Sequence, residues 1–319
     1  MSDIPSIPAL GERVPFEPEL MAHITAVWGV DFEGARHLYG GEESAIWLAQ
    51  RGQTPIVVRL SPAWRTTREL DWVYDTVSRL AHHLPVVPRP LRPEPGRESV
   101  SGWVMRQADR LVSVHHWIAG NIEPVTGTDR LTKVATLLAD AHRALDALGP
   151  VPLRPDHQPW EVPATDFDPA NVIQLKDAEL DEWLVALPER YPDKCLIHGD
   201  VYWRNVLWED EAITGLIDWD ELHHGIREQE LAWTLWEFCK DASGTMIESE
   251  ASRTFLMTYQ RRGGSFGLEF ADEAACFIRR RLRQEYRQAL REPGLVERDP
   301  YYAAELIAFQ RLSGFRLTL

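Results

Sequence analysis

Residues 195–219 constrain this chain more than any other stretch. Cys195-Leu196-Ile197, Val206-Leu207-Trp208 and Leu216-Ile217 are short apolar runs of strand character. His198, Gly199, Asp200 and Asn205 fall on the turn between the first and second runs. Asp218 closes the third run, 218 − 200 = 18 positions after Asp200. This pattern predicts a strand, turn, strand, turn, strand ribbon with the three polar side chains at one end.

Two carboxylates and a carboxamide in this order suit phosphoryl transfer. A hydroxyl nucleophile needs a carboxylate to orient it and accept its proton. Nucleotide phosphates need Mg²⁺, a hard cation that takes carboxylate and carboxamide oxygens. Kinase catalytic loops use an Asp as base, an Asn beyond it as a metal ligand, and a later Asp as the second ligand. Here the same types occur as His-x-Asp-x-x-x-x-Asn and then Ile-Asp. Either piece alone reads as a surface turn or a strand end. Their order and spacing together favour the kinase chemistry.

Composition narrows the classes further. The 319 residues are enough for one large domain or two lobes with their own cores. No apolar run approaches the ~20 residues that span a bilayer, so no membrane partner is expected. The N-terminal residues lack the basic and apolar regions of a signal peptide. Cys195, Cys239 and Cys276 are scattered without metal spacing, as in a reduced, cytoplasmic protein. A formal net charge of −15 makes nucleic acid an unsuitable partner. It also suits steering of cationic substrates, although acidity for solubility alone is the plainer explanation.

The runs His198-Gly199-Asp200, Asn205-Val206-Leu207 and Gly215-Leu216-Ile217-Asp218-Trp219 closely resemble the aminoglycoside phosphotransferase and choline kinase-like family. The likeness is nearest to homoserine-kinase-like and stress-response-kinase-like members. It implies an α+β, bilobal protein kinase-like fold. Residues 1–118 would form a nucleotide-binding lobe, an antiparallel sheet with a helix, and 119–319 a larger, mainly helical catalytic and acceptor-binding lobe. It implies ATP and Mg²⁺ as cofactors. Asp200 would take the acceptor proton, His198 would brace the turn, and Asn205 and Asp218 would hold the metal.

The first lobe reads as five strands and a helix. A Gly40-Gly41 hairpin precedes Ala45–Ala49, and a glycine hairpin lets backbone N–H groups approach phosphates. The family carries a similar hairpin, which makes Gly40, Gly41 and Ser44 candidate phosphate contacts. Arg59 ends the apolar run Ile56-Val57-Val58, where a charge needs a partner; kinase-like proteins usually have lysine here. A helix over about 63–82 is the natural source of its carboxylate. Glu69 resembles the family's acidic helix position, with Asp75 as the alternative. Strands at 101–107 and 111–118 complete the sheet, and the family's hinge would set His116, Trp117 and Ile118 against adenine.

In the second half, helices are expected over 128–148, 175–187, 228–241, 249–262, 268–291 and 299–312. The proline-rich segment 149–170 reads as a loop or insertion. His142 reads as structural, and Glu230-Leu231-Ala232 stands where the family commonly shows Asp-Leu-Ala, an acid that supports the catalytic loop. The basic face Arg279-Arg280-Arg281-Leu282-Arg283 reads as ion pairs with the acidic surface. Asp220 and Glu221, with the Trp203 and Trp236 rings, are candidates for the acceptor pocket. They would suit a small hydroxyl-bearing acceptor such as an aminoglycoside, amino sugar or amino alcohol. Homoserine-like molecules and a protein serine or threonine stay open as acceptors. So does a non-catalytic, nucleotide-binding regulatory role, while a metal-dependent hydrolase lacks the His-rich set it would need.

Overall fold

A computed structural model describes residues 17–38, 44–94, 100–156, 173–290 and 294–318. The chain divides into two compact units. The first comprises Met1–Gly120 with the short segments Arg154–Asp156 and Thr214–Asp220; the second holds the rest. The arm expected at the N-terminus and much of the 149–170 loop lie outside the described residues.

The first unit opens with α1 (Pro18–Trp28), which buries Leu20, Ile24, Val27 and Trp28 along one stripe. Next come β1 (Asp31–Leu38), β2 (Ala45–Arg51), β3 (Thr54–Leu60), α2 (Thr67–Leu80), β4 (Val100–Ser101), β5 (Val104–Gln107) and β6 (Arg110–His116). The strands form one antiparallel sheet in the order β1-β2-β3-β6-β5-β4. The sheet has six strands where five are expected, because Gly102, at φ 54°, splits the 101–107 segment into a tight hairpin. Ile56, Val58, Val112 and Val114 alternate into the core shared with α1, so Arg59 falls on the other face of β3. In register it stands opposite Ser113 of β6.

The second unit contains β7 (Asn121–Ile122), α3 (Thr128–Asp146), α4 (Ala178–Arg190), β8 (Cys195–Ile197) and β9 (Val206–Glu209). Along β10 (Ala212–Leu216) the chain passes back into the first unit. It returns to the second with β11 (His223–Gly225), α5 (Arg227–Cys239), α6 (Ser249–Arg261), α7 (Phe270–Ala289), α8 (Leu295–Arg298) and α9 (Pro300–Arg311). The periodicity places these helices well. α5 is nearly all buried, and α3 packs on α6 while α7 lies against α5 and α9. The ribbon is different from the expectation. β8 pairs with β11, Ile197 opposite His223, rather than with β9; β9 keeps β10 as a neighbour and has β7 on its other side, Leu207 opposite Ile122. A partner at long range has displaced the first local pairing and left the second in place.

Candidate active site

In the second unit, β8 ends on the turn His198-Gly199-Asp200. Gly199 sits at φ 90°, and a Cβ there would lie 2.5 Å from the Glu221 carbonyl oxygen, so the turn requires glycine. Glu230, from the first turn of α5, holds this bend from below. Its carboxylate accepts the Gly199 N–H at 2.5 Å and the His198 N–H at 3.3 Å. It also accepts His142 Nε2 at 2.7 Å, which leaves His142 Nδ1 to take the Tyr259 hydroxyl at 2.7 Å. Burial would raise the Glu230 carboxyl, but His142 and the Gly199 N–H outweigh it and hold the carboxyl below its usual range.

Asp200 stands at the tip of this turn. Its N–H donates to His198 Nδ1 at 3.2 Å, so His198 serves as an internal brace. The Asn205 amide donates to the Asp200 carbonyl at 2.8 Å and to Oδ2 at 3.2 Å. Both amide hydrogens are thereby used, and the Asn205 carboxamide oxygen is left as a hard donor for a cation. Arg281, from α7, donates to Asp200 Oδ1 at 2.8 Å and to the Gly199 carbonyl at 3.1 Å. Glu285 fixes Arg281 Nε at 2.6 Å, and the guanidinium lies over the Trp233 ring. Burial opposes the charge on Arg281; Glu285 and then Asp200 outweigh it.

The first unit carries a second cluster, around Arg59. Nη1 donates to Asp218 Oδ1 at 2.9 Å and Nε to Ser44 Oγ at 3.2 Å. Nη2 lies 3.1 Å from Asp220 Oδ2, an ion pair without hydrogen-bond alignment. The Tyr74 hydroxyl donates to Asp220 Oδ1 at 3.1 Å. Ser113 bridges Tyr74 and His115, at 3.3 and 2.9 Å. Burial, then Arg59, lowers His115 to about 4, so it is neutral here. Burial would raise Asp220, but Arg59 holds it ionised. Asp218 adopts φ 63°, the left-handed region that L-residues rarely occupy.

The family model of the APH phosphotransferase enzyme family matches residues 35–273. The chain belongs to this family. Solved structures repeat its fold. The amicoumacin kinase hAmiN, in complex with AMP-PNP, Ca²⁺ and Ami, is similar at 12% identity and TM-score 0.74, over 97% of each chain. The microcompartment-associated aminopropanol kinase is similar at 18% identity and TM-score 0.72, over 95% of this chain and 100% of that one. The spectinomycin phosphotransferase APH(9)-Ia, in complex with ADP and spectinomycin, gives 15% identity and TM-score 0.55, over 93% and 94%. At such identities the likeness is one of fold. A search of the curated proteins finds no match.

Several residues of this phosphotransferase-family chain stand elsewhere than the sequence suggests. Glu69 does not pair with Arg59. It closes the capping box of α2 with Thr66 and takes Arg65 at 2.9 Å and Arg154 besides, so its oxygens are committed. Asp220, expected in the acceptor pocket, is 2% exposed and belongs to the Arg59 cluster. Trp236 is 2% exposed and is core, with Lys240 over its ring. Trp203 is half-buried with Arg204 stacked on it, and Glu221 is half-buried. Ser44 is buried against Arg59; Gly40 and Gly41 lie outside the described residues. The His116 N–H is taken by Arg89 and the Trp117 N–H by Pro55, while that of Ile118 has no backbone partner among the described residues. Arg279 and Arg283 are buried, with Asp177 and Asp181 as partners, so the basic face of α7 is internal rather than a surface lattice. Arg281 was the site residue hidden in that run.

Proposed function

We propose that the chain is a Mg²⁺- and ATP-dependent kinase that moves the γ-phosphoryl group to a hydroxyl of a small, amine-bearing acceptor. Amino alcohols, amino sugars and aminoglycosides are the acceptor class. The observation that carries this reading is the Asp200 turn: a carboxylate held at its tip, with Asn205 directed onto it and Glu230 tying down the bend behind.

In this reading Asp200 orients the acceptor hydroxyl and takes its proton late in a loose transition state, which an ordinary carboxylate can do. Asn205 and Asp218 are the oxygen donors for Mg²⁺, an ion that keeps several waters and needs only one or two protein carboxylates besides the phosphates. When bound, the ion supplies charge neutralisation on the phosphates. Arg59 adds a fixed positive charge for the nucleotide, with Asp218 and Asp220 as its anchors in place of Glu69. Ile118 offers the N–H for the adenine edge, beside His116 and Trp117. No helix among the described residues is long and apolar enough to cross a membrane.

The test is ADP release with Mg·ATP and Mg·GTP against aminoglycosides, amino sugars, amino alcohols and homoserine. Acceptor-stimulated release that disappears in Asp200→Ala, with nucleotide binding kept, is expected. Undiminished release in that variant would sink the assignment.

A further inference from the structure

Tyr74, Ser113, His115 and Asp220 all belong to the first unit, and the hydrogen bonds that join them run in one direction. Asp220 Oδ1 takes the Tyr74 O–H at 3.1 Å. With its only hydrogen spent, the Tyr74 oxygen accepts the Ser113 O–H at 3.3 Å. Ser113 has then spent its own hydrogen, so its oxygen accepts from His115 Nε2 at 2.9 Å. The order of donors fixes the histidine tautomer. The His115 hydrogen sits on Nε2, and Nδ1 is left as a bare acceptor.

His115 is 9% exposed, and the Tyr74 ring meets it edge-on with centroids 4.8 Å apart. Nδ1 has no hydrogen-bond partner among the described residues. Burial, then Arg59, keeps the ring neutral, so no second hydrogen fills Nδ1. The two nitrogens of an imidazole diverge, which turns Nδ1 away from the relay. In register His115 stands opposite Val57, on the same face of the sheet as Arg59 and Ser113. His116, Trp117 and Ile118 follow it directly. A nucleotide whose phosphates meet Arg59 and whose base meets Ile118 crosses this face beside His115. A bare acceptor there matches the amino group of adenine, a donor, and opposes the 6-oxo group of guanine, an acceptor.

We propose that His115 selects the base of the nucleotide: its Nδ1 accepts a hydrogen from the amino group of a 6-aminopurine and turns 6-oxopurines away. Tyr74 and Ser113 are positioning residues that hold the accepting tautomer. The proposal rests on the kinase reading, which supplies the purine nucleotide.

The experiment is calorimetric titration of the full chain with the Mg²⁺ complexes of ATP, ITP and purine riboside 5′-triphosphate, which carries hydrogen in place of the amino group. Wild type should bind ATP about tenfold more tightly than the 6-hydrogen analogue, and ITP more weakly still. His115→Met should bring ATP and the analogue to about equal affinity. Tyr74→Phe, at the far end of the relay from the base, should narrow the same gap about threefold or more. The freed Ser113 O–H can then donate to His115 Nε2 and move the histidine hydrogen to Nδ1. A wild type that does not distinguish ATP from the analogue, or variants that keep the wild-type gap, overturn the proposal and leave the kinase reading standing. Failure to bind any of the three ends both. If a variant does not fold, the wild-type gap is read with the ¹⁵N spectrum of the histidine-labelled wild type. A His115 hydrogen on Nε2 is expected there, and one on Nδ1 overturns the proposal.

Discussion

Arg281 donates to Asp200 Oδ1 over 2.8 Å, and the two residues lie 81 positions apart in the chain. One oxygen of the candidate base is thus held by a guanidinium from α7, while the other takes the Asn205 amide. Arg281 is a positioning residue in this arrangement. Arg281→Gln should lower kcat by about a hundredfold through misplacement of Asp200, with nucleotide affinity kept. Arg281→Lys should recover part of the loss. Steady-state ADP release and nucleotide titration check this; a matching fall in nucleotide affinity would point to general disruption instead.

Arg59 stands between two carboxylates, one of them buried. Arg59→Met should cost about 3–5 kcal/mol, because Asp220 would be left charged and unpaired in the core. Arg59→Lys should retain most of the stability while reaching fewer of the oxygens. Urea denaturation of both variants measures the difference. Equal stability of Arg59→Met and wild type would show that Asp220 does not need its cation.

Glu230 is held below the usual carboxyl range, so it binds fewer protons folded than unfolded. Its stabilising effect is therefore present above the unfolded carboxyl value and is lost as pH falls through the lower, folded one. Glu230→Gln should cost about 1.5–3 kcal/mol near neutral pH, and the gap from wild type should close in acid. Melting curves across that range would expose a pH-independent gap, which would remove ionisation from the explanation.

Helices, sheet and the Asp200 turn were readable because each follows from local pattern: apolar spacing, glycine punctuation and residues a few positions apart. Partners across long sequence distance were not. Arg59 announced that it needed a carboxylate, but nothing in the chain says that Glu69 is already committed to its capping box and to Arg65 and Arg154. Likewise Arg279, Arg280, Arg281 and Arg283 look alike in sequence. Helical rotation sends them to Asp177, Gln229, Asp200 and Asp181. Asp220 follows the expected metal ligand so closely that it reads as part of the acceptor pocket, yet the backbone turn buries Asp220 beneath Arg59.

Glu305 carries the opposite sign to Glu230. Its carboxyl rises from an ordinary 4.5 to about 10, so its own contribution to stability is fully present below the ordinary carboxyl value and declines as pH climbs through that window. The groups around it are Glu237 and Lys240 from α5 and its end, Arg281 and Glu285 from α7, and Tyr301 from α9. Glu305→Gln should match wild type at low pH and become the more stable protein toward alkaline pH. Parallel stability–pH curves for the two proteins would contradict a buried, proton-holding carboxyl.

The left-handed backbone at Asp218 has an implication for engineering. That conformation disfavours an aspartate by about 1–2 kcal/mol relative to glycine, and Asp220 would still neutralise Arg59 without it. With Asp218 in its proposed metal-binding role, heat resistance and phosphoryl chemistry pull position 218 in opposite directions. A library selected on thermal survival alone should drift toward glycine there, and the survivors should be robust proteins that have lost turnover.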